Sequence, residues 1–405
     1  MTISATNPPR LLFVVTEDQY FWMHRLALAR AVRDAGCEVV VATPSGPFQK
    51  RIEAEGFLFY PLRLRRKIRN PWVELLTILD LYSLFRLARP DLVHLVEMKP
   101  ILYGTLPARL ARVPARVHAI TGLGYVFIGN GWKRTLLRTG VEWGFRFAFW
   151  GKHVRAIFHN PDDREVFTTR HLLRESQAVW VMGSGVDTEV FAPASELPGE
   201  PVVLLASRML WDKGIGELVE AARLLKKRGV PGKFVLAGVP DPDNPASIPE
   251  THLRSWNEEG VVEWIGFHND MPSLLAQSHI VCLPSYREGA SRALIEAASC
   301  GRPIVTTDVP GCRDLVRDGW NGLLVPVKDA VALADVLQTL LTNGEMRREM
   351  GQHGRELALA RFDKAIIIRD TFAVYQSLLG GRFCTGAVRA EAIQNVEPVS
   401  RILQA

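Results

Sequence analysis

The sequence lacks the features that would place the chain across a membrane or send it for secretion. None of its apolar runs approaches the roughly 18–20 residues that span a bilayer. The N-terminal stretch has one five-residue apolar run, at 11–15, and no basic leader region. We therefore expect neither a transmembrane helix nor a signal peptide.

Cysteine is scarce as well. The five cysteines are odd in number, widely spread and free of any C-x-x-C pair. This argues against a structural zinc site and is typical of a reducing compartment. The 47% hydrophobic and 23% charged content is that of a globular protein.

Charge is present but unevenly distributed. Residues 1–175 hold 26 basic and 15 acidic residues, whereas residues 176–405 hold 23 and 28. The first part is strongly basic, although the whole chain carries only +6. We expect this part to face an anionic partner such as a membrane surface, a phosphorylated substrate or a nucleic acid.

Short apolar runs alternate with longer amphipathic ones in both halves of the chain. In the second half, VVLLAS (202–207) precedes a helical pattern at 214–229, and KFVLAG (233–238) follows. This alternation predicts the α/β class, with two Rossmann-like, doubly wound domains built on parallel sheets. Ligands of such sheets bind at the carboxyl ends of the strands, so the expected site is the cleft between the domains.

The domain boundary is expected in the proline- and acid-rich stretch 187–201. We accordingly place one domain at 1–190, the other at 191–380 and a loosely attached tail at 383–405. The last helix of the second domain is expected to be able to pack back on the first.

Two basic residues follow the first apolar run of the second half. Arg208 and Lys213 stand between a predicted strand and a helix N-terminus. Two cations beside free backbone N–H groups make a good diphosphate site. An ordinary solvated turn has the same composition and is the alternative.

Two glutamates occur in the stretch YREGASRALIEAASCG (286–301). Glu288 lies in a small-residue loop, where it can accept hydrogen bonds from substrate hydroxyls, and Glu296 lies in a predicted helix, within reach of a ribose diol. The small residues between them, Gly289, Ala290 and Ser291, let backbone amides approach a ligand. The alternative is a capping acid and an exposed helical glutamate, but apolar and small residues surround Glu296.

Several short motifs follow one another in a fixed order. They are S-R-x-x-x-x-K-G (207–214), G-F (266–267), the E-x7-E formed by the two glutamates, G-x-P-I-V (301–305), P-G-C-R-D (310–314) and N-G-L-L-V (321–325). In this order they resemble the family 4 glycosyltransferases, which have the GT-B fold. The resemblance covers roughly residues 10–380.

The resemblance implies a role for each matching position. The residues concerned are Arg208 and Lys213 for the donor diphosphate, Glu296 for the nucleotide ribose, Glu288 with the amides of Gly289, Ala290 and Ser291 for the donor sugar, and Gly266 with Phe267 for the base. Family members retain the anomeric configuration and need no metal or other cofactor. Arginine, lysine and the helix dipole neutralise the leaving diphosphate instead.

The first half departs from the family pattern at one histidine. Many members carry His just before a glycine in the loop after the fifth strand, but here Thr121 precedes Gly122. The nearest histidine, His118, lies in an alternating strand pattern. We keep His118, Thr121 and Gly122 as candidates, beside a core role for His118.

The usual early Gly-Gly loop is also missing, and TEDQYFWMHR (16–25) replaces it. His24 and Arg25 are candidates for contact with an acceptor phosphate, with a plain helix start as the alternative. With VEMKP (96–100) and TGLGYVF (121–127), this variant looks like the branch that acts on polyprenyl-diphosphate-linked sugars in surface-polysaccharide assembly.

Two segments of the basic half suit a membrane surface. Residues 62–70 contain five cations and no acid, and residues 131–155 interleave six basic residues with aromatic ones. Such segments favour reversible docking at an anionic inner membrane. A partly buried helix plus a solvated loop is the alternative. A nucleic-acid partner is not expected, because no binding module is recognisable.

The resemblance implies a peripheral enzyme of the cytoplasmic membrane face. It would move a hexose or N-acetylhexosamine from a nucleotide sugar, with UDP favoured, to a lipid-linked saccharide. The alternatives are a sugar-nucleotide 2-epimerase of the same fold and a non-catalytic nucleotide-sugar-binding protein. The D-P-D at 241–243 resembles a metal motif, but its proline-rich surroundings indicate a turn.

Overall fold

The computed structural model describes residues 8–65, 70–123 and 132–383, with only the backbone described for 132–136. Part of the basic segment 62–70 (residues 66–69), the start of the segment 131–155 and nearly all of the predicted tail lie outside these residues. The strands are β1 (Arg10–Val14), β2 (Glu38–Thr43), β3 (Leu58–Pro61), β4 (Leu92–Val96), β5 (Ala115–Ile120), β6 (Val154–Phe158), β7 (Ala178–Trp180), β8 (Val202–Ala206), β9 (Lys233–Ala237), β10 (Glu263–Gly266), β11 (Ile280–Leu283), β12 (Ile304–Thr307) and β13 (Gly322–Val325).

The helices alternate with these strands. They are α1 (Asp18–His24), α2 (Leu26–Asp34), α3 (Gln49–Ala54), α4 (Pro71–Ala88), α5 (Met98–Leu110), α6 (Trp132–Ala148), α7 (Pro161–Thr169), α8 (Ile215–Lys227), α9 (Glu250–Glu258), α10 (Met271–Gln277), α11 (Arg292–Ser299), α12 (Ala330–Thr342), α13 (Gly344–Leu357) and α14 (Lys364–Leu379). Among the described residues no helix is long and apolar enough to cross a membrane.

The chain divides into two compact units. The first unit comprises residues 1–184 and 365–405, and the second comprises residues 185–364. The division falls six residues before the end of the predicted first domain. Helix α14 belongs to the first unit, where the Tyr375 hydroxyl lies 2.6 Å from Nδ1 of His94 on β4.

The first unit is built on a parallel sheet in the order β3-β2-β1-β4-β5-β6-β7. Its central strands are buried along almost their whole length, as expected where helices cover both faces of a parallel sheet. Two helices on this sheet begin with the same local signal. Asn70 and Asn160 cap α4 and α7 with their side chains, and a proline takes the first helical position of each.

The second unit has a parallel sheet in the order β10-β9-β8-β11-β12-β13. The strand order reverses between β8 and β11, which are neighbours in the sheet. This is the topological switch point at which doubly wound folds bind ligands. The predicted α/β class with two doubly wound domains is therefore confirmed.

Helices α1 and α2 are separated by a single residue, Arg25, where φ is −126°. The break turns the Arg25 side chain inward, so that only 4% of it is exposed. Its Nη2 lies 3.5 Å from Nε2 of His159. The prediction that Arg25 contacts an acceptor phosphate is not supported by this buried position.

Candidate active site

The loops that follow β8 and β11 bring the predicted donor residues together. Arg208 lies two residues beyond β8, and Lys213 ends a short 3₁₀ turn at Trp211–Lys213. Gly214 follows with φ of 71°, and a Cβ there would lie 2.0 Å from the carbonyl oxygen of Pro284. This close approach holds the two loops side by side, and only glycine allows it.

Lys213 and Glu288 form an ion pair across the two loops, through Nζ and Oε1. Both side chains are half-buried, so the pair is less screened than a surface salt bridge. The sequence analysis predicted that Lys213 binds the donor diphosphate and that Glu288 binds the donor sugar. The structure shows that they are direct neighbours.

Arg208 is held by a residue that the sequence did not mark as functional. Its Nη1 donates to Oδ2 of Asp241 at 2.7 Å. Asp241 lies in the loop after β9, where the amide of Asp241 in turn donates to Ser247 Oγ at 3.0 Å. The D-P-D stretch is thus a loop, as predicted, but its first carboxylate orients the cation of the candidate site.

Glu296 lies in the second turn of α11, with 5% of its surface exposed. Nε of Arg292, one turn earlier, donates to its Oε1 at 2.6 Å. Burial raises the pKa of the Glu296 carboxyl, and the charge of Arg292 opposes this rise. The buried position excludes the alternative of an exposed helical glutamate.

The small-residue loop before α11 is fixed by backbone contacts with the loop after β12. Glu288 N donates to Pro310 O at 3.0 Å, and Ser291 N donates to Gly311 O at 3.3 Å. The Ser291 amide is therefore engaged within the fold. The role of the three amides of Gly289, Ala290 and Ser291 in holding the donor sugar stays a prediction.

Gly266 ends β10, the edge strand of the same sheet, and has φ of 69°. The next residue, Phe267, has 59% of its side chain exposed. An exposed aromatic ring at the carboxyl end of a strand is suited to stacking on a nucleobase. The predicted role of Gly266 and Phe267 stays a prediction.

In the first unit, polar side chains gather at the carboxyl ends of β1, β4 and β5. Thr16 Oγ1 donates to Oε2 of Glu97. Glu97 follows β4 and adopts φ of 74° and ψ of 163°, a region almost restricted to glycine. The sequence gives no signal for this conformation, and Glu97 was not among the predicted site residues.

Tyr20 on α1 connects two of the predicted site residues, His24 and Thr121. Its ring lies 4.4 Å from that of His24, and its hydroxyl is hydrogen-bonded to the side chain of Thr121. Burial raises the pKa of Tyr20 to about 12, so the hydroxyl stays protonated at neutral pH. Gly122 follows Thr121 with φ of 153°. His24 also contacts Ser184, with Nδ1 at 3.1 Å from Oγ.

His118 does not reach this edge of the sheet. It lies within β5, is fully buried and packs against Phe149 at a ring distance of 5.2 Å. Neither ring nitrogen has a hydrogen-bond partner among the described residues. Burial, with Arg116 and Arg109 nearby, holds its pKa well below the usual value. This placement favours the core role over the catalytic one.

Helix α6 and the residues that follow it, within the predicted membrane segment 131–155, carry both buried and exposed aromatic side chains. Phe145 and Phe149 are buried in the core of the first unit, whereas Trp143 and Trp150 are 66% and 65% exposed. Part of the aromatic pattern thus reflects core packing. In the segment 62–70, the guanidinium of Arg63 pairs with Asp80 at 2.8 Å. Within the described residues no group of three or more His, Cys, Asp or Glu side chains could hold a metal ion.

Comparison with known proteins shows which families the chain resembles. Residues 10–149 match the family model described as glycosyl transferase 4-like, and residues 187–357 match glycosyl transferases group 1. A relative in Campylobacter jejuni, N,N'-diacetylbacillosaminyl-diphospho-undecaprenol alpha-1,3-N-acetylgalactosaminyltransferase, is 28% identical over 88% of this chain and 95% of its own. The UDP-Gal:alpha-D-GlcNAc-diphosphoundecaprenol alpha-1,3-galactosyltransferase of Escherichia coli is 26% identical over 74% of this chain and 78% of its own.

Solved structures share the fold at lower identity. Sucrose-phosphate synthase from Thermosynechococcus elongatus has a TM-score of 0.76 at 20% identity, covering 92% of this chain and 99% of its own. HepE of Anabaena, solved with UDP and glucose, has a TM-score of 0.71 at 18% identity, covering 91% and 99%. The chain belongs to the glycosyltransferases of group 1 with a glycosyl transferase 4-like first part, and it is a hexosyltransferase with the GT-B fold.

Proposed function

We propose that the protein transfers a hexose or N-acetylhexosamine from a UDP-sugar to a saccharide carried on polyprenyl diphosphate, with retention of the anomeric configuration. The observation that carries the proposal is the arrangement of two cations and two carboxylates at the switch point of the second unit. The names of the two relatives, which both specify a diphospho-undecaprenol acceptor, support the acceptor class.

In this proposal Arg208 and Lys213 neutralise the charge that develops on the departing diphosphate. Electrostatic groups that are already in place serve this purpose without reorganisation during the reaction. Glu288, already beside Lys213, accepts hydrogen bonds from the donor sugar, and Glu296 accepts them from the ribose. The diphosphate leaves from the face that the acceptor attacks, and its oxygen takes the proton of the acceptor hydroxyl. No metal or cofactor is required.

The cluster at the carboxyl edge of the first sheet is assigned to the acceptor. Glu97 offers a carboxylate, while Tyr20 and Thr121 offer hydroxyl groups. Carboxylates and hydroxyls are the side chains that hydrogen-bond sugar hydroxyls. His24, stacked on Tyr20, borders the same cluster.

The basic first part supports peripheral docking of the enzyme at the cytoplasmic face of an anionic inner membrane. Exposed Trp143 and Trp150 carry the apolar component, and the basic residues of 62–70 and 131–155 carry the electrostatic one. Each basic residue near such a surface contributes about 1 kcal/mol.

The first test is calorimetric binding of UDP and GDP in EDTA, for the wild type and for Glu296→Ala. We expect metal-free UDP binding that is about tenfold or more weaker in the variant, because a charged hydrogen bond to the ribose is lost. The matched control is Glu220→Ala, another helical glutamate, which pairs with Arg223 on the surface of α8. Binding of GDP alone would redirect the search to GDP-sugars, and binding of neither nucleotide would contradict the donor site.

Turnover separates the transferase from the two alternatives. A transferase releases UDP in step with acceptor consumption. A 2-epimerase acts on the nucleotide sugar without any lipid acceptor, and a non-catalytic binding protein releases no UDP from the nucleotide sugar. Arg208→Ala and Lys213→Ala should each lower turnover by about 10²-fold or more, as loss of a transition-state donor does elsewhere. Near-normal turnover in both variants would refute the assignment.

A further inference from the structure

A long stretch of the first unit is almost free of acidic residues. Residues 98–161 contain ten lysines and arginines but a single acid, Glu142. That carboxylate is already engaged, because Arg170 Nη1 lies 2.6 Å from its Oε1. The remaining cations of the stretch therefore have no acid of their own segment to pair with.

Two of these cations converge where α5 ends and β5 begins. Arg116 on β5 is only 7% exposed, and its Nε is buried without a hydrogen-bond partner in the described residues. Arg109 stacks on the rings of Phe147 and Trp150, at 4.8 and 5.0 Å. A Cβ placed on Gly151 would lie 3.4 Å from Nη2 of Arg116 and 3.6 Å from Nη2 of Arg109.

The two guanidinium groups thus approach each other beside a glycine, and no ion pair of either is found in the part of the chain described. Burial and the charge of Arg109 lower the pKa of Arg116 to about 10. Buried charges that lack a counterion are unfavourable. A bound anion would compensate both cations, and planar guanidinium forks match the geometry of a phosphate group.

This pair lies far from the edge that holds the acceptor cluster. Arg116 is the second residue of β5, whereas Thr121 follows its last residue. Five residues of extended strand separate their backbones by about 16 Å. The anion expected beside Arg116 is therefore distinct from the diphosphate that takes part in the reaction.

The surroundings of the pair indicate what carries the phosphate. Trp150 is 65% exposed, and Leu106 and Leu110 on α5 are also exposed. Tryptophan, leucine and arginine together are typical of the boundary between lipid headgroups and acyl chains. A soluble phosphate would gain nothing from the exposed apolar side chains, whereas a lipid would cover them.

We propose that Arg109 and Arg116 bind the phosphate group of an anionic membrane phospholipid, with Trp150 and Leu110 beside it in the interfacial layer. The site rests on the proposed docking of the enzyme at a membrane, but not on the donor or the acceptor. Beyond general electrostatic attraction to the membrane, the site provides one position at which two guanidinium groups bind a single headgroup.

The test is binding of the full chain to phosphatidylcholine vesicles with and without phosphatidylglycerol, measured by co-sedimentation at physiological ionic strength. Arg116→Met should lower the partition coefficient on phosphatidylglycerol vesicles by about tenfold or more, as loss of charge-assisted hydrogen bonds requires. The matched control is Lys152→Met, which removes one exposed charge from the same surface. It should lower the partition coefficient by about fivefold or less. Arg116→Lys keeps the charge without the fork and should resemble Arg116→Met.

Two further measurements make the outcome decisive. The melting temperature of Arg116→Met without vesicles should equal or exceed that of the wild type, because an uncompensated buried charge is removed, and its UDP affinity should be unchanged. Equal losses in Arg116→Met and Lys152→Met would show general electrostatics and overturn the headgroup site. Inorganic phosphate that raises the melting temperature of the wild type, with vesicle binding unaffected in Arg116→Met, would assign the pair to free phosphate and overturn the proposal as well.

Discussion

The backbone of Glu97 adopts a conformation that favours glycine, although the position carries a glutamate side chain. A non-glycine residue at its φ and ψ costs about 1–3 kcal/mol. The hydrogen bond from Thr16 returns only about 1 kcal/mol. Such strain is found where a side chain is needed for function, and a carboxylate facing the acceptor would be such a need.

We predict that Glu97→Gly leaves the stability of the protein nearly unchanged while it lowers acceptor-dependent turnover. Release of about 1–3 kcal/mol of strain is offset by the roughly 0.5–1 kcal/mol that glycine loses in backbone entropy and by about 1 kcal/mol for the lost hydrogen bond from Thr16, so the melting temperature should stay close to that of the wild type. Turnover with saturating donor should fall because the acceptor loses its carboxylate, while calorimetric UDP affinity should be that of the wild type.

His171→Gly is the control for this prediction, because His171 also has positive φ, at 53°, and lies exposed in the loop after α7. It should gain stability without loss of turnover. A Glu97→Gly protein that is clearly destabilised, or that keeps full turnover, would show that Glu97 has a purely structural role.

At the scale of elements, the contact between the loop after β12 and the loop before α11 positions Glu288. Gly311 has φ of 76°, and a Cβ there would lie 2.3 Å from the carbonyl oxygen of Glu288. A side chain at this position would push the loop that carries Glu288 away from Lys213.

We predict that Gly311→Ala weakens UDP-sugar binding more than it weakens the fold. The matched control is Gly319→Ala, because Gly319 has φ of 74° but a Cβ placed there would meet no described atom within 4 Å. Backbone strain of about 1 kcal/mol is common to both variants, whereas the steric clash is specific to Gly311→Ala. Urea unfolding and calorimetry with a UDP-sugar separate the two effects, and equal donor affinity in both variants would contradict the positioning role.

The elements themselves could be predicted from the sequence to within a few residues. The runs 202–207 and 233–238 correspond to β8 and β9, because buried parallel strands are continuous apolar runs. The partners in the site could not be predicted in this way. Lys213 meets Glu288 and Arg208 meets Asp241 because β8 lies between β9 and β11 in the sheet, an adjacency that no local pattern records. The strain at Glu97 likewise depends on the fold around it.

At the scale of the whole molecule, the two units differ in their buried titratable groups. His94, His118 and His159 of the first unit are all at least nine-tenths buried. Burial holds the pKa of each well below its ordinary value, and the charges of Arg25, Arg109 and Arg116 act in the same direction. In the second unit, burial raises the pKa of Glu296. The folded state then takes up this proton more readily than the unfolded chain, so acid favours the fold at this residue, whereas it disfavours the fold at the buried histidines.

We predict that mild acid destabilises the first unit before the second. Below about pH 6.5 the unfolded chain takes up protons on histidines that stay neutral in the fold, so the free energy of unfolding falls by up to about 1.4 kcal/mol per pH unit for each histidine. Calorimetric scans from about pH 8 to pH 5.5 should show one transition moving to lower temperature. UDP should raise the melting temperature of the transition that belongs to the second unit, and this transition should shift less with pH.

His118→Leu should reduce the pH dependence of the first unit's melting temperature. His153→Leu, at an exposed position, should leave that pH dependence as in the wild type. Two transitions whose melting temperatures fall in parallel would contradict the assignment.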